Sequence, residues 1–353
     1  GEDMPSSRLS LQALRATVAV DVGGDVPAAV VERAHAAWSG ALAGADAEPD
    51  RILVYADVPD ADRWLEALSQ AVTLEALGFE RGRAVLLHAC GVALPDGRVL
   101  TFVGPSGRGK TTLARALGRE YGYVSDESIA IDDTLAVHPY RKPLSVVRPD
   151  GPKEQVSPRA AGLRDLPDAP LSLAALVLIE RDETLTEPIV EHLHFADAVE
   201  ALALQASYLA DLPGTVVTLA WLADRIGGIR RVRYAEAATV ADVIDQLLEP
   251  GPAPEQWATR TIAVDAGDGS TTRVDAVDYG DVMITLSGRT LRRLEGVAPA
   301  VLRAVADGAD DVDAVTREVI AQVGPHPEGD AGAHVARVLI ELADAGFAVP
   351  RPS

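Results

Sequence analysis

A glycine-rich stretch at residues 104–112 has the residue types and spacing of a phosphate-binding loop. Gly104 and Gly109, followed by Lys110 and Thr111, match the pattern G-x-x-x-x-G-K-[ST]. Glycines leave room for backbone N–H groups to surround a polyphosphate, the lysine can reach its β- and γ-phosphates, and the threonine hydroxyl suits Mg²⁺. The sequence therefore predicts a site for ATP, or another nucleoside triphosphate, together with Mg²⁺. The predicted nucleotide contacts are Gly104, Pro105, Ser106, Gly107, Arg108, Gly109, Lys110, Thr111 and Thr112.

Two adjacent acids, Asp126 and Glu127, follow the loop at the end of a short apolar segment. A kinase needs one carboxylate to accept the proton of an incoming hydroxyl and another to help hold Mg²⁺. Adjacent acids at a strand end beyond a phosphate loop can divide this work. The alternative is an exposed turn, because Asp132 and Asp133 follow closely.

Basic side chains outside the loop give further candidates. His88 lies on the apolar segment 84–94, where a histidine is either a packed core residue or a group beside the phosphates. Arg141 and Lys142 are cations that could approach a γ-phosphate, although a charged pair beside a proline is usually solvated. Arg181 follows an apolar strand pattern and could reach the same site from its end.

The elements around the loop must place it between a strand and a helix. Residues 99–103 form an apolar run typical of a strand, and Leu113 and Leu117 repeat at helical spacing. A short Asp-Gly turn at 96–97 joins this strand to the apolar segment 84–94, which predicts an antiparallel hairpin. Consecutive strands of a doubly wound nucleotide-binding domain are parallel, so the hairpin indicates a different α/β arrangement.

Hydrophobic periodicity predicts the remaining elements of the first 248 residues. Predicted strands cover 16–22, 51–55, 173–179 and 215–219, and predicted helices cover 28–38, 61–77, 196–209 and 240–248. We interpret these elements as an N-terminal α/β part at 4–83 and a phosphate-loop core at 84–248.

A proline-rich linker at 249–257 precedes a C-terminal module at 258–353. Short strand patterns come first in this module, and helical patterns follow. The predicted strands are 274–278, 282–286 and 289–294, and the predicted helices are 298–305, 312–323 and 331–345. Three strands and three helices indicate a small winged-helix-like module. Since it carries no basic groove and no catalytic cluster, we interpret it as a binding module.

The chain of 353 residues is acidic, with 32 Lys and Arg against 53 Asp and Glu and a formal net charge of −21. This balance argues against nucleic acid or an anionic membrane as a partner and permits a basic peptide, although solubility is the simpler explanation. The single cysteine, Cys90, excludes an internal disulfide framework and fits a reducing cytosol. No apolar run approaches the ~20 residues of a membrane helix. We expect a cytoplasmic protein without a signal peptide, and self-association stays open.

The motifs between residues 84 and 131 resemble the catalytic domain of the HPr kinase/phosphorylase family. The matching features are Leu87-His-Ala-Cys-Gly-Val-Ala-Leu, the Asp-Gly turn, the phosphate loop and Val124-Ser-Asp-Glu. That family and the phosphoenolpyruvate carboxykinases share a strand hairpin, a phosphate loop and a paired acid beyond it. The resemblance implies a Ser/Thr kinase whose fold is unlike that of the ordinary protein kinases.

The same resemblance implies roles for individual residues. Lys110 is the loop lysine, and His88 matches the family's histidine before the loop. Asp126 and Glu127 match its Asp-Asp pair, which makes Asp126 the base and Glu127 a metal ligand beside Thr111. The glutamate departs from the family's second aspartate. The segment that the family uses to reverse the reaction is not found, so we do not expect phosphorylase activity.

The C-terminal module resembles the PqqD-like family, the precursor-peptide recognition elements of ribosomal peptide natural product pathways. The matching stretches are 274–286, 294–308 and 342–347. In that family a leader peptide adds as a strand to the third strand and lies against the last helix, which here are 289–294 and 331–345. Strand addition of this kind is physically reasonable, because an exposed strand edge offers unpaired backbone N–H and C=O groups to a peptide.

Together the two resemblances imply an ATP-dependent kinase that phosphorylates a Ser or Thr hydroxyl of a ribosomally made precursor peptide, with the leader held by the C-terminal module. Two alternatives stay open. One is a metabolic or regulatory kinase of the same type that acts on a small molecule or a carrier protein. The other is a non-catalytic, nucleotide-gated binding module.

Overall fold

The computed structural model describes residues 7–44, 46–55, 60–105, 107–151 and 153–353. The strands are β1 (Ser7–Ala13), β2 (Ala16–Val22), β3 (Arg51–Tyr55), β4 (Val85–Ala93), β5 (Arg98–Val103), β6 (Gly122–Ser125), β7 (Ser128–Ile131), β8 (Val137–His138), β9 (Leu144–Val146), β10 (Glu154–Val156), β11 (Ser172–Arg181), β12 (Ile189–Leu193), β13 (Ala206–Ser207), β14 (Ile229–Tyr234), β15 (Ala258–Asp265), β16 (Thr271–Asp278), β17 (Met283–Ser287) and β18 (Thr290–Leu294). The α-helices are α1 (Ala28–Ala37), α2 (Ala61–Glu80), α3 (Arg108–Gly118), α4 (Phe195–Leu204), α5 (Thr215–Arg225), α6 (Ile244–Leu248), α7 (Ala298–Ala306), α8 (Val312–Val323) and α9 (Ala331–Asp344). Short 3₁₀ turns cover Ser39–Ala41, Leu209–Asp211 and Ala237–Val243. Within the described ranges, no helix combines the length and the apolar character that crossing a bilayer requires.

These elements form two compact units. The first unit spans the chain up to residue 193 together with 204–209 and 226–251, and the second contains 194–203, 210–225 and 252–353. Nearly all of α4 and the whole of α5 therefore group with the later part of the chain. This differs from the predicted succession, in which 84–248 formed one core and 258–353 a separate module.

A small sheet near the N-terminus packs against two helices. β1 pairs antiparallel with β2, and β2 pairs parallel with β3. Side chains of these strands share a core with α1 and α2 that includes Leu11, Val18, Trp38 and Trp64. The positions of β2, β3, α1 and α2 agree with those that the periodicity predicts.

The phosphate-loop strand β5 lies inside a larger mixed sheet of the first unit. The strand order is β12-β14-β11-β5-β4-β7-β8, and β6 and β13 also pair with β4. β5 is antiparallel to β4, which confirms the predicted hairpin. Its turn needs Gly97, which has a φ of 92° and whose added Cβ would lie 2.2 Å from the carbonyl oxygen of Pro170.

The strand order decides which segments meet around α3. Because β5, β11 and β14 are parallel, their carboxyl ends lie at one edge of the sheet, with Leu178 opposite Val103. On the other side of β5 lies β4, where Ala89 pairs with Val103. The edge of β4 that faces away from β5 pairs with β6 and β7. The turn between β6 and β7 is therefore separated from β5 by β4.

The second unit contains an antiparallel sheet with the order β15-β16-β17-β18. One face of this sheet shares a core with α7, α8 and α9 that includes Ile262, Ala276, Met283, Val301 and Leu339. The sequence interpretation predicted three strands here and missed β15. The first half of β15 is exposed and carries polar side chains directly after the proline-rich segment, so its apolar signal is weak.

The segment 215–219 is helical, and the predicted strand there is wrong. Its Val and Thr residues favour a strand by propensity. The buried residues of α5, however, include Val216, Leu219, Ala220 and Ala223, which recur at the spacing of one helix face. That face packs against β16 and β17, and tertiary packing overrides the local preference.

Candidate active site

The phosphate loop joins the end of β5 to the start of α3. Gly104 has no room for a side chain, because a Cβ there would lie 2.5 Å from Cγ1 of Ile179 on β11. Gly107 is the N-cap of α3 and has a φ of 152°, a conformation that favours glycine. The backbone can therefore approach a polyphosphate closely at the positive end of the helix.

The predicted nucleotide contacts run from the end of β5 into the first turns of α3. Gly104, Pro105, Gly107, Arg108, Gly109, Lys110, Thr111 and Thr112 follow in this order, and Ser106 lies outside the described residues. Lys110 is buried, and its ammonium donates a hydrogen bond of 3.4 Å to the backbone carbonyl of His88 on β4. Burial lowers the pKa of Lys110, although the carboxylates of Glu127 and Asp126 act in the opposite direction. The acids therefore lie within electrostatic reach of the loop lysine.

The turn that carries the acids lies across β4 from the loop. The N–H of Ala89 donates to the carbonyl of Glu127 at 3.0 Å, while Ala89 pairs with Val103 on its other side. About two strand spacings, roughly 10 Å, therefore separate the acids from the end of β5. The hydroxyl oxygen of Ser125 accepts from the N–H of Glu127 at 3.3 Å and of Ser128 at 3.2 Å, which holds the turn.

The two acids differ in exposure. The side chain of Asp126 is 8% exposed and that of Glu127 is 47% exposed. Oδ1 of Asp126 accepts no hydrogen bond from the residues that the structure describes. A buried carboxylate oxygen without a donor is costly unless a cation or a substrate proton meets it. Asp126 is therefore buried rather than part of an exposed turn, and a nearby cation is needed to offset its charge.

Lys142 bridges the two acids. Its Nζ lies 3.0 Å from Oε2 of Glu127 and 3.6 Å from Oδ1 of Asp126, and its side chain is 9% exposed. Burial would lower the pKa of Lys142, but the two carboxylates outweigh this effect and the pKa is raised. The sequence interpretation favoured a solvated lysine here, and the structure corrects it. The chain returns along β6, where the N–H of Tyr140 donates to the carbonyl of Val124 at 3.1 Å, and this brings Lys142 to the acids.

Arg141, the neighbour of Lys142, makes structural contacts. Its guanidinium donates to the backbone carbonyls of Tyr123 and Arg164 and lies 5.6 Å from the centre of the Tyr123 ring. Arg141 therefore holds β6 against the segment that contains Arg164, and it is buried rather than solvated.

His88 is half-buried on β4. Its Nε2 lies 3.2 Å from the hydroxyl oxygen of Ser207 on β13, and its backbone carbonyl holds the ammonium of Lys110. Burial, and then the charge of Lys110, lower the pKa of His88 below its ordinary value. The ring is therefore neutral at neutral pH.

The donor set fits Mg²⁺ in the presence of a nucleotide. In phosphoryl-transfer sites this ion is held by one or two carboxylates, phosphate oxygens and waters. The carboxylate of Glu127 is half-exposed, and Lys142 already places a cation against both acids, so this site accepts positive charge. Thr111 and Glu127 are the residues that would hold the ion, and Asp126 is left as the base. Groups of three or more His, Cys, Asp or Glu side chains that could hold a metal are not found in the described part of the chain.

On the side of the loop away from the acids, the ends of β11 and β14 bring two side chains to the start of α3. A Cβ on Gly109 would lie 3.9 Å from Cδ of Arg181 and 3.9 Å from the hydroxyl oxygen of Tyr234. Arg181 was a sequence candidate, whereas Tyr234 was missed. Tyr234 ends a strand that pairs in parallel with β11, and this pairing is not visible in a single sequence.

Comparison with known proteins gives short matches, and no protein-family model matches the chain. The chain is 45% identical over 49 residues to the phosphate import ATP-binding protein PstB 1 of Vibrio parahaemolyticus serotype O3:K6, a match that covers 14% of this chain and 18% of that protein. It is 42% identical over 52 residues to PstB 3 of Synechocystis sp., which covers 15% of this chain and 19% of that protein. The chain thus spans 18–19% of the length of these curated relatives. The matches indicate a P-loop ATP-binding region. The mixed α/β fold is consistent with it.

Proposed function

We propose that this chain is an ATP-dependent kinase, similar to HPr kinase, that phosphorylates a Ser or Thr hydroxyl of a ribosomally made precursor peptide. The observation that carries the proposal is the buried carboxylate of Asp126, which lies across β4 from the phosphate loop, 3.6 Å from the ammonium of Lys142 and within electrostatic reach of Lys110. A module that only binds nucleotide does not require a buried carboxylate across the sheet from the phosphate loop. A phosphoryl transferase requires a base at such a place.

The proposed transfer forms a bond between the substrate oxygen and the γ-phosphorus and breaks the bond from that phosphorus to the β–γ bridging oxygen. Asp126 accepts the proton of the attacking hydroxyl. Lys110 binds the β- and γ-phosphates, and Lys142 offsets negative charge at the acids while the phosphoryl group moves. Thr111 and Glu127 would hold Mg²⁺, which would supply positive charge that offsets the charge of the phosphates.

His88 completes the proposed site. Its carbonyl orients the ammonium of Lys110, and its neutral ring, paired with Ser207, adds no positive charge beside that ammonium. A neutral imidazole next to a lysine avoids the repulsion that a charged one would cause. We therefore assign His88 to the positioning of the loop lysine.

The edge of the second unit's sheet supports a peptide as the substrate. β18 is the last strand in its sheet, so its outer edge is unpaired among the described residues. Ser287 pairs with Thr290 across the two-residue turn at 288–289, and Leu286 pairs with Leu291. Since hydrogen-bonded and non-hydrogen-bonded pairs alternate, the N–H of Leu291 is directed to the outer edge. A leader peptide in extended conformation can add there by backbone hydrogen bonds.

The test is to incubate the full chain with Mg²⁺, ATP and a short peptide that is encoded beside its gene, and to follow the mass of the peptide and the ADP formed. Phosphate on a Ser or Thr of that peptide, lost in Asp126→Asn, supports the proposal. ADP formation with an unmodified peptide contradicts the peptide as substrate and favours a small molecule or a carrier protein. Tight ATP binding without ADP formation contradicts a kinase and favours the nucleotide-gated binding module.

A further inference from the structure

A small cleft lies beside the phosphate loop, on the side away from the acids. Gly109 and Thr112 of α3 form one wall, Arg181 at the end of β11 forms the second, and Tyr234 with the segment 235–237, which includes the acidic Glu236, forms the third. The cleft is open to solvent and has a volume of ≈ 50 Å³, so it can seat one edge of a ring rather than surround it. The acid pair, Lys142 and His88 do not line it.

Tyr234 places a polar atom directly behind the wall of this cleft, and the described residues leave that atom unsatisfied. Its side chain is buried, and its hydroxyl oxygen has no hydrogen-bond partner among them. Burial raises the pKa of Tyr234 to about 12, so the group stays a neutral O–H donor at neutral pH. A buried hydroxyl of this kind favours a ligand that can bond to it.

Arg181 presents a planar cation at the mouth of the cleft. Its side chain is exposed, and Nη2 donates to the carbonyl of Ala235 at 3.1 Å. This hydrogen bond ties the guanidinium to the segment after β14. A guanidinium held in this way can stack on an aromatic ring, which an ammonium cannot do.

The direction of the loop decides which part of a nucleotide meets this cleft. Lys110, the residue for the β- and γ-phosphates, turns toward β4 and the acids. If the β- and γ-phosphates follow Lys110 toward β4, we expect the α-phosphate to leave the loop on the opposite side, along Thr112. The nucleoside follows the α-phosphate, and the cleft beside Gly109 and Arg181 lies on that side.

We propose that this cleft binds the nucleoside half of the nucleotide, with the guanidinium of Arg181 stacked on the base and the hydroxyl of Tyr234 hydrogen-bonded to the nucleoside. Arg181 is then the residue by which the chain distinguishes a nucleoside triphosphate from a bare polyphosphate. The inference rests on the proposed function only in that the loop binds a triphosphate.

The experiment compares two probes, ATP and inorganic tripolyphosphate, each with Mg²⁺, by calorimetry on the full chain. The variants are Arg181→Ala, which removes the side chain, and Arg181→Lys, which keeps the charge and removes the planar group. Arg119→Ala is the matched control, because Arg119 is an exposed arginine at the opposite end of α3. We expect both Arg181 variants to bind ATP about tenfold more weakly than the wild type and tripolyphosphate within twofold of it.

The outcomes separate this inference from the proposed function. Equal losses for ATP and tripolyphosphate in Arg181→Ala, or full rescue of ATP binding by Arg181→Lys, would show that Arg181 acts as a charge on the phosphates and would overturn the inference. Unchanged ATP binding in Arg181→Ala would overturn it as well. In each of these cases the wild type still binds both probes and the proposed kinase stands. A wild type that binds neither probe would overturn both.

Discussion

Replacing Lys142 by methionine tests whether the buried ion pair stabilises the first unit. At the 3.6 Å between Nζ and Oδ1 of Asp126, the Coulomb attraction is roughly 5 kcal/mol for an effective dielectric constant of about 20. Methionine fills a similar volume without the desolvation cost of an ammonium, but it leaves the buried carboxylate of Asp126 without its cation. The contact with the half-exposed Glu127 adds at most about 1 kcal/mol. We expect Lys142→Met to lower the free energy of unfolding by about 3–5 kcal/mol.

The pH dependence of that difference follows from the pKa of Lys142, which is raised in the folded chain. A raised folded pKa means that the stabilisation is fully present below the unfolded pKa of about 10.4 and is lost as the pH rises through the folded pKa. The stability gap between the wild type and Lys142→Met should therefore be constant from about pH 7 to about pH 9 and should narrow above about pH 10.4.

Urea unfolding of both proteins across this pH range measures the gap. Lys153→Met is the matched control, because Lys153 is exposed, and it should change stability by less than about 0.5 kcal/mol. A gap of the same small size for Lys142→Met, or a gap that widens at high pH, would refute the reasoning. In a direct ATP-to-peptide assay, Lys142→Met should also transfer phosphate about 10²-fold more slowly.

Three further predictions concern the loop, the acids and the sheet edge. Lys110→Ala should lower phosphoryl transfer by about 10²-fold or more while ATP binding is only weakened, since the backbone cradle remains; unchanged turnover would contradict the kinase proposal. Asp126→Asn should lower phosphoryl transfer by about 10²–10⁴-fold. Glu127→Gln should instead raise the Mg²⁺ concentration needed for half-maximal turnover. The same Mg²⁺ dependence in both variants would rule out the proposed division of roles between the two acids. Leu291→Pro removes an outward N–H and should abolish binding of leader peptide to the full chain in calorimetry, while Leu291→Ala binds nearly normally. Equal affinities of these two variants, with ATP binding intact, would argue against strand addition.

The binding experiments use the full chain because the C-terminal module includes segments that precede residue 258. Residues 210–225 group with residues 252–353, and α5 packs on β16 and β17. A fragment that begins at residue 258 would leave this face of the sheet uncovered. The sequence did not show which segments of the chain make up the second unit, because helix α5 is separated along the chain from the sheet that it covers.

Features that depend on neighbours in the chain could be predicted from the sequence. The phosphate loop at 104–112, its flanking strand and helix, and the hairpin turn at Gly97 follow from the positions of glycines and from short-range periodicity. The position of the acid pair at the end of a short apolar segment was also visible in the sequence, and its catalytic role stays a prediction. Local backbone preferences act over a few residues, so the order of residue types along a short segment is enough to predict them.

Features that depend on strand order were decided by the tertiary structure. The sequence does not show that β4 lies between the loop and the acids, that Lys142 is buried against both carboxylates, or that β14 brings Tyr234 to the start of α3. Each of these contacts joins segments that are separated by many residues, and each forms because burying the apolar faces of the sheet favours one arrangement of strands. The sequence by itself determined the position of the phosphate-loop motif, and the packing of the sheet determined which charges surround it.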